Sequence, residues 1–303
     1  MRLAQFQQSK GISFEDQIVL VNNRQMFHGF KPCFYPWSRV RPFQYLVECW
    51  RQKTVYGPKR LSLGKGLRTN KLFAGFFDRS FDHLDWLNPL FDFIRARSEQ
   101  YKLVIGKGDY TITKEFKANV PENVSNVWAN NVCIGDPQFS YLPMGRDFRS
   151  KHLFPDMMPT TTKTLLCYCN FSTSTHLIRQ QLYDQIKKMD FIEFDHMGGF
   201  MNYTLSREQF FEKLAASKFS ICPRGNAYDT FRMWDSLYVG TIPIVVREAH
   251  FHEGLLDLPI LFLDSYQDFS NLSKDYLNDT YESMSKKHFN YEKLTSQYWL
   301  QTE

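Results

Sequence analysis

Residues 218–246 read KFSICPRGNAYDTFRMWDSLYVGTIPIVV, and this stretch decides the fold. A short apolar run at 219–222 predicts a strand, which ends in a Pro-Arg-Gly-Asn turn at 223–226. A helical segment follows, and the apolar run at 242–246 predicts a second, buried strand. In an open α/β sheet, ligands bind at the carboxyl ends of the strands. A helix N-terminus beside arginines favours a phosphate or diphosphate.

The turn and the helix carry four polar side chains that suit an anionic ligand. Arg224 and Arg232 can both reach one diphosphate, with Thr230 as a hydroxyl donor or as the helix N-cap. Asp235 lies three residues after Arg232, so it either accepts from ribose hydroxyls or pairs with that arginine. The alternative interpretation is an ordinary helix start with a surface ion pair.

A second polar turn precedes the first by about fifty residues. The apolar run at 164–169 predicts a strand of parallel-sheet type, and Asn170 and Ser172 follow it in an Asn-Phe-Ser-Thr-Ser-Thr turn. Arg179 comes next on a predicted helix. These groups are expected at the same sheet edge as Arg224, where they would complete an anion pocket. A simple hydroxyl-capped helix is the alternative.

The composition bounds the class of protein. With 303 residues, 43% of them hydrophobic and 17% aromatic, the chain is long enough for two domains with separate cores. The net charge of +5 fits an anionic small ligand and is too weak to argue for nucleic acid. The six cysteines lack metal-site spacing, so no metal is predicted. No apolar run approaches the ~20 residues of a membrane span, and no signal peptide is visible, which predicts a soluble, cytoplasmic protein.

Strand-like and helix-like segments alternate along the whole chain, which indicates an α/β protein. For the first half we predict strands at 17–23, 72–77, 103–106 and 139–142, helices at 44–51, 86–100 and 125–131, and a loop at 24–41. For the second half we predict further strands at 191–194 and 260–263, and helices at 176–189, 206–217 and 274–287. Ser206 and Gln209 form a plausible capping box. The polar, proline-containing segment 146–164 is the predicted linker.

The first half offers candidates for a general base. Asp78 directly follows an apolar strand and therefore lies at a sheet edge. Asp109 follows another short strand, and Asp82 and His83 lie just beyond Asp78. A reaction that deprotonates a hydroxyl needs such a group. For each one taken alone, a solvated side chain is the simpler interpretation.

Residues 164–265 resemble the C-terminal signature of the exostosin-like glycosyltransferases of family 47. The matching residues here are Cys222-Pro223-Arg224-Gly225-Asn226, Thr230, Arg232, Asp235-Ser236-Leu237 and Gly240-Thr-Ile-Pro243-Ile-Val. The upstream LLCYCNFSTSTHLIR at 165–179 and the downstream LPILFLD at 258–264 match elements of the same domain. Weaker similarities are Gly108-Asp109-Tyr110, Trp128-Ala-Asn-Asn131 and Leu142-Pro-Met-Gly145.

The resemblance implies a GT-B architecture, in which two Rossmann-like domains face each other across a cleft. Residues 1–158 would bind the acceptor, 159–275 the nucleotide sugar, and 276–303 would form a helical tail that packs back on the N-terminal domain. The family mostly uses UDP-sugars, inverts the anomeric centre and needs no bound metal or other cofactor. It would assign the diphosphate to the turn Arg224-Gly225-Asn226 together with Arg179 and Arg232. The family's ribose-binding Glu is Asp235 here.

The expected function is therefore inverting transfer of a sugar, with xylose the best guess, from a UDP-sugar to a glycan hydroxyl, with Asp78 as base. In character the chain is similar to the soluble, xylosyltransferase-like enzymes of large algal DNA viruses. A monomer or weak homodimer is expected, without nucleic-acid partners. Two alternatives remain open at this point. One is a retaining or GDP-sugar-using, fucosyltransferase-like GT-B enzyme, and the other is a non-catalytic glycan- or nucleotide-binding protein.

Overall fold

The computed structural model describes residues 31–34, 71–75, 87–106, 109–145, 162–195 and 204–299. The chain divides into two compact units, and the described residues of each contain a five-stranded, wholly parallel sheet. The second unit includes Met144–Glu248 and resumes at His252, while the intervening Ala249–Phe251 belongs with the first unit. These two parallel sheets with their helices confirm the predicted α/β class.

The first sheet has its strands in sequence order. They are β1 (Lys31–Phe34), β2 (Lys71–Gly75), β3 (Tyr101–Gly106), β4 (Val124–Ala129) and β5 (Phe139–Tyr141). The described helices of this unit are α1 (Asn88–Arg95) and α2 (Lys114–Asn119). Buried apolar side chains from α1, β3 and β4, including Phe91, Leu103, Ile105 and Val127, form the core.

Two predictions for the first half are wrong. The segment 125–131, predicted as a helix, is mostly strand β4, because Val124, Val127 and Ala129 bury their side chains in the core of this unit. Short apolar runs do not distinguish strand from helix by pattern alone. The predicted loop 24–41 contains β1, which pairs in parallel with β2. Its Pro32 cannot donate to a sheet ladder but is tolerated in an edge strand such as β1. The predicted strand 17–23 and helix 44–51 lie outside the described residues.

The second sheet has the order β10-β9-β8-β6-β7. Its strands are β6 (Leu165–Cys169), β7 (Ile192–Phe194), β8 (Ser217–Ile221), β9 (Ile242–Val246) and β10 (Leu261–Leu263). Its helices are α3 (Leu177–Ile186), α4 (Arg207–Ala216), α5 (Phe231–Tyr238), α6 (Lys274–Ser285) and α7 (Ser296–Trp299). The chain leaves β6 to form β7 on one side and then returns to place β8 on the other. The point between β6 and β8 is therefore the topological switch point of this sheet.

Local sequence explains where these helices begin and end. Ser206 caps α4, and its hydroxyl accepts from the Gln209 N–H while the Gln209 amide oxygen accepts from the Ser206 N–H, as the predicted capping box requires. Gly240 follows α5 with φ of 71°, a left-handed conformation that glycine adopts without a steric penalty. Every residue of β9 is buried, as expected for a strand covered on both faces.

The C-terminal residues also pack on this unit. Leu277 of α6 lies in the core of the second sheet, with Tyr281 and Met284 against it. Lys293 is buried and its ammonium donates to the Gly254 carbonyl and the Asp257 carboxylate. Residues 274–294 are thus part of the second unit.

Candidate functional site

The two predicted polar turns are neighbours at the switch point. The first follows β6 and contains Asn170 and Ser172, and the second follows β8 and contains Arg224 and Gly225. Because β6 and β8 pair in parallel, both turns leave the same edge of the sheet. This is the position at which open parallel sheets bind their ligands.

Arg179 connects the two turns. From the first turn of α3 its guanidinium donates to the Ser172 carbonyl (3.1 Å), the Pro223 carbonyl (3.1 Å) and the Arg224 carbonyl (2.6 Å). The guanidinium also lies over the Phe171 ring, 5.6 Å from its centroid. Only 7% of the residue is exposed. Three of its five donors are therefore used to fix backbone carbonyls, which leaves fewer for a ligand than the sequence suggested.

Gly225 allows this close approach. A Cβ atom at this position would lie 3.2 Å from Arg179 Nη2 and 3.6 Å from Thr175 Oγ1. Glycine is thus favoured here by the guanidinium that packs on the turn rather than by backbone conformation. The predicted Pro-Arg-Gly-Asn turn and Arg179 form one packed unit.

Arg232 brings a second positive charge to the same place. Its Nε is buried and has no hydrogen-bond partner among the residues that the structure describes, and the same holds for Thr175 Oγ1. Burial, and next the nearby charge of Arg232, lower the pKa of Arg179 to about 9. Within the described part of the chain, no ion pair involves Arg179, Arg224 or Arg232. The switch point therefore holds clustered positive charge that an anion would neutralise.

Arg224 folds back on its own turn. Its Nε donates to the Gly225 carbonyl (3.2 Å) and its Nη2 to the exposed Asn226 carbonyl (3.0 Å). The guanidinium stacks on the Tyr228 ring at 3.6 Å from the centroid. The side chain is half-buried, so unlike Arg179 it lies where a ligand can reach it.

The remaining predicted ligand-binding residues differ in accessibility. Thr230 occupies the N-cap position of α5, but its side chain makes no capping hydrogen bond, and its half-buried hydroxyl can serve a ligand. Asn170 and Ser172 are 5% and 7% exposed. Asp235 is 2% exposed, on the buried part of α5.

Sequence analysis missed three polar residues around this site. Asp229 is buried and accepts from the Met144 N–H (2.6 Å) and from Trp234 Nε1 (2.7 Å), so it anchors the start of α5. Tyr266 follows β10 and Glu248 follows β9, and both lie next to Arg224. The only available signal was position, since Glu248 comes two residues after the predicted strand 242–246 and Tyr266 three residues after the predicted strand 260–263.

Of the candidate bases, Asp78, Asp82 and His83 lie outside the described residues. Asp109 is described and half-buried. It follows β3, and the segment after it pairs with the loop after β4 through the hydrogen bond from the Ile112 N–H to the Asn131 carbonyl (3.1 Å). Asp109 therefore lies at the carboxyl edge of the first sheet, which suits a functional carboxylate.

The fold and site define a class: an α/β protein with clustered arginines at the switch point of a parallel sheet. The family model "Exostosin GT47 domain" matches residues 117–269, half of the chain. The chain belongs to this family and is a glycosyltransferase. Its two parallel α/β sheets agree with the GT-B class predicted from the sequence.

The other comparisons add less. A crystal structure of an α1,3-fucosyltransferase is similar with a TM-score of 0.46 and 11% identity, over 95% of this chain and 92% of that one. A search of curated proteins finds no match. Among the described residues, no helix is both long and apolar enough to cross a membrane.

Proposed function

We propose that the protein transfers a sugar, xylose by our interpretation, from a UDP-sugar to a hydroxyl of a glycan acceptor with inversion of the anomeric centre. The donor assignment depends on one observation: Arg179 and Arg232 lie close together at the switch point. Neither forms an ion pair with a carboxylate among the described residues. A diphosphate would neutralise this charge and provide acceptors for the buried Arg232 Nε.

In the proposed reaction, the acceptor hydroxyl loses its proton to a carboxylate of the N-terminal half. Asp78 is our choice for this base, with Asp109, Asp82 and His83 as rivals. The resulting oxygen forms a bond to the anomeric carbon from the face opposite the leaving group, and the bond from that carbon to the diphosphate oxygen breaks. UDP leaves with the bonding electron pair.

The arginines would stabilise the charge that develops on the leaving diphosphate. Arg224 and Arg232 would contact it directly, with Thr230 and the N-terminus of α5 beside them. Asn170, Ser172, Gly225 and Asn226 shape the two turns, and Arg179 holds those turns together. In this proposal the protein's own cations provide the stabilisation that a metal provides elsewhere, so neither a metal nor another cofactor is required.

We also propose how the chain is divided into domains, where the protein is located and whether it forms oligomers. Residues 1–158 would bind the acceptor and 159–275 the donor, in a cytoplasmic monomer or weak homodimer. The described part of the tail, residues 276–299, contributes to the core of the donor unit through α6.

Calorimetric titration with UDP tests the donor assignment. Arg232→Gln should weaken UDP binding about tenfold to a hundredfold, because a buried charge-assisted hydrogen bond contributes about 1.5–3 kcal/mol. The matched control is Arg247→Gln, which changes an exposed arginine at the carboxyl end of β9 that pairs with Asp264 and Glu253. Equal UDP affinity in Arg232→Gln and wild type would refute the assignment.

Measurements of sugar transfer test three parts of the proposed reaction: its independence of metal, its inversion of the anomeric centre and its general base. With excess EDTA present, the wild type should transfer xylose from UDP-xylose at an unchanged rate, and NMR of the product should show the inverted anomer. Asp78→Asn should abolish transfer while leaving the affinity for UDP intact. A wild-type rate in Asp78→Asn together with an inactive Asp109→Asn would move the role of base to Asp109.

A further inference from the structure

Two polar residues, Tyr266 and Glu248, lie beside the Pro-Arg-Gly-Asn turn at 223–226, which we call the arginine turn. Tyr266, after β10, accepts from the backbone N–H of Arg224 (3.4 Å) and donates to Glu248 Oε2 (3.1 Å). Glu248 comes two residues after the end of β9. The carboxyl ends of three adjacent strands, β8, β9 and β10, thus place an arginine, a glutamate and a tyrosine in one connected group.

The Glu248 side chain is accessible to a ligand, whereas that of Asp235 is not. Glu248 is exposed, whereas Asp235 is 2% exposed on α5. Apart from the Tyr266 contact, the Glu248 carboxylate accepts no hydrogen bond from any residue that the structure describes, so Oε1 remains available. Desolvation raises the pKa of the Glu248 carboxyl, while the Tyr266 hydroxyl and the charge of Arg224 act in the opposite direction.

Tyr266 fixes the position of this carboxylate. Its ring stacks on Phe269, with centroids 6.2 Å apart and an interplanar angle of 20°. The hydroxyl also accepts from the Arg224 N–H, which belongs to the Pro-Arg-Gly-Asn turn at 223–226. Glu248 is therefore connected to the backbone of that turn through two successive hydrogen bonds.

We propose that Glu248, oriented by Tyr266, accepts hydrogen bonds from the vicinal ribose hydroxyls of the donor nucleotide, in place of Asp235. The inference rests on the proposed function, since it needs a nucleoside diphosphate at the arginine turn. A carboxylate has only acceptors and two parallel oxygens, which suit a pair of neighbouring hydroxyl donors. Its negative charge opposes a phosphate at the same spot, so the phosphates stay at the arginines and the ribose turns towards Glu248.

Calorimetry with three probes tests the ribose assignment: UDP, 2′-deoxy-UDP and inorganic pyrophosphate. Wild type should bind UDP more tightly than 2′-deoxy-UDP. Glu248→Ala should weaken UDP binding about tenfold to a hundredfold and bind UDP and 2′-deoxy-UDP equally. Pyrophosphate should bind Glu248→Ala at least as tightly as wild type, because the variant lacks the opposing charge near Arg224.

Further variants separate this inference from its rivals. Tyr266→Phe should reduce the ratio of UDP to 2′-deoxy-UDP affinity, whereas Glu253→Ala, an exposed control on the segment after β9, should retain it. If Glu248→Ala retains the wild-type ratio, or if Asp235→Asn removes it, the ribose assignment is wrong. If wild type binds neither UDP nor pyrophosphate, the proposed function itself fails and the inference fails with it.

Discussion

Replacing Arg179 tests whether this residue holds the two turns in position or contacts the ligand directly. Arg179→Met keeps much of the side-chain volume but removes the three hydrogen bonds to the carbonyls of Ser172, Pro223 and Arg224. Hydrogen bonds to charged groups contribute about 1.5–3 kcal/mol each. The burial and the repulsion from Arg232 that lower the pKa of Arg179 to about 9 offset part of that gain. We expect a net loss of about 2–4 kcal/mol in the free energy of unfolding.

The assay is urea unfolding and UDP calorimetry on the same preparations. Arg179→Met should lower both stability and UDP affinity, because the turn that carries Arg224 and leads into α5 with Arg232 loses its connection to the turn after β6. Arg232→Gln should lower affinity without lowering stability, since its Nε has no hydrogen-bond partner to lose within the described part of the chain. Arg247→Met, which loses only exposed ion pairs, should change stability by less than about 1 kcal/mol.

If Arg179→Met loses UDP affinity by tenfold or more while its free energy of unfolding equals that of wild type, the guanidinium contacts the ligand and does not hold the turns. Its three backbone hydrogen bonds would then contribute nothing measurable to the fold.

Two further predictions concern packing and pH. Gly225→Ala places a Cβ 3.2 Å from Arg179 Nη2 and should cost about 1–3 kcal/mol and weaken UDP binding. Gly254→Ala, whose Cβ would have no neighbour within 4 Å among the residues that the structure describes, should be neutral in urea unfolding. Equal stability of the two variants would contradict the packing argument. His252 is buried, and desolvation lowers its pKa to about 4, below the value of about 6.5 in the unfolded chain, so the unfolded state binds the proton first. Stability should therefore fall by about 3 kcal/mol from this residue as pH drops from about 6.5 to about 4, and His252→Gln should flatten the fall; identical pH profiles would show that His252 is not the cause.

In the second sheet, strands β6, β9 and β10 were predictable because each is a contiguous apolar run, whereas β7 and β8 also contain polar residues. The segments 164–169 and 242–246 belong to strands buried in a parallel sheet, and such strands differ clearly from their surroundings in hydrophobicity. The arginine turn followed from the same pattern, since a strand, a glycine turn and a helix in that order place polar groups at the sheet edge. Neither step requires contacts between distant residues.

The first half was harder for a physical reason. In β4 only part of the residues are buried, and the run that contains Val127 and Trp128 has no period that separates strand from helix. In β1, Pro32 favours a loop locally, and the pairing with β2, some forty residues away, decides otherwise. Such pairing depends on the tertiary structure rather than on the local sequence.

The residues that sequence reasoning missed share one property: their partners are distant along the chain. Asp229 contacts Met144, 85 residues away, and Tyr266 contacts the Arg224 backbone, 42 residues away. Nothing in the residues next to Glu248 marks it as part of a site. Arg179 was predicted as a diphosphate ligand, and three of its five donors hold backbone carbonyls, which no spacing rule reveals.

The distribution of charge at the switch point connects stability with function. Two guanidiniums lie close enough for one to lower the pKa of the other, and no carboxylate pairs with either among the described residues. A carboxylate there would pair with the arginines and would compete with an anionic ligand. Without such a carboxylate, the arginines can pair with the ligand instead. A bound diphosphate removes the repulsion and should raise the pKa of Arg179 towards its ordinary value. Binding at a hundredfold excess over Kd adds about 2.7 kcal/mol to the free energy of unfolding. Under the proposed function, the same charges that repel each other would therefore become the source of affinity for the diphosphate.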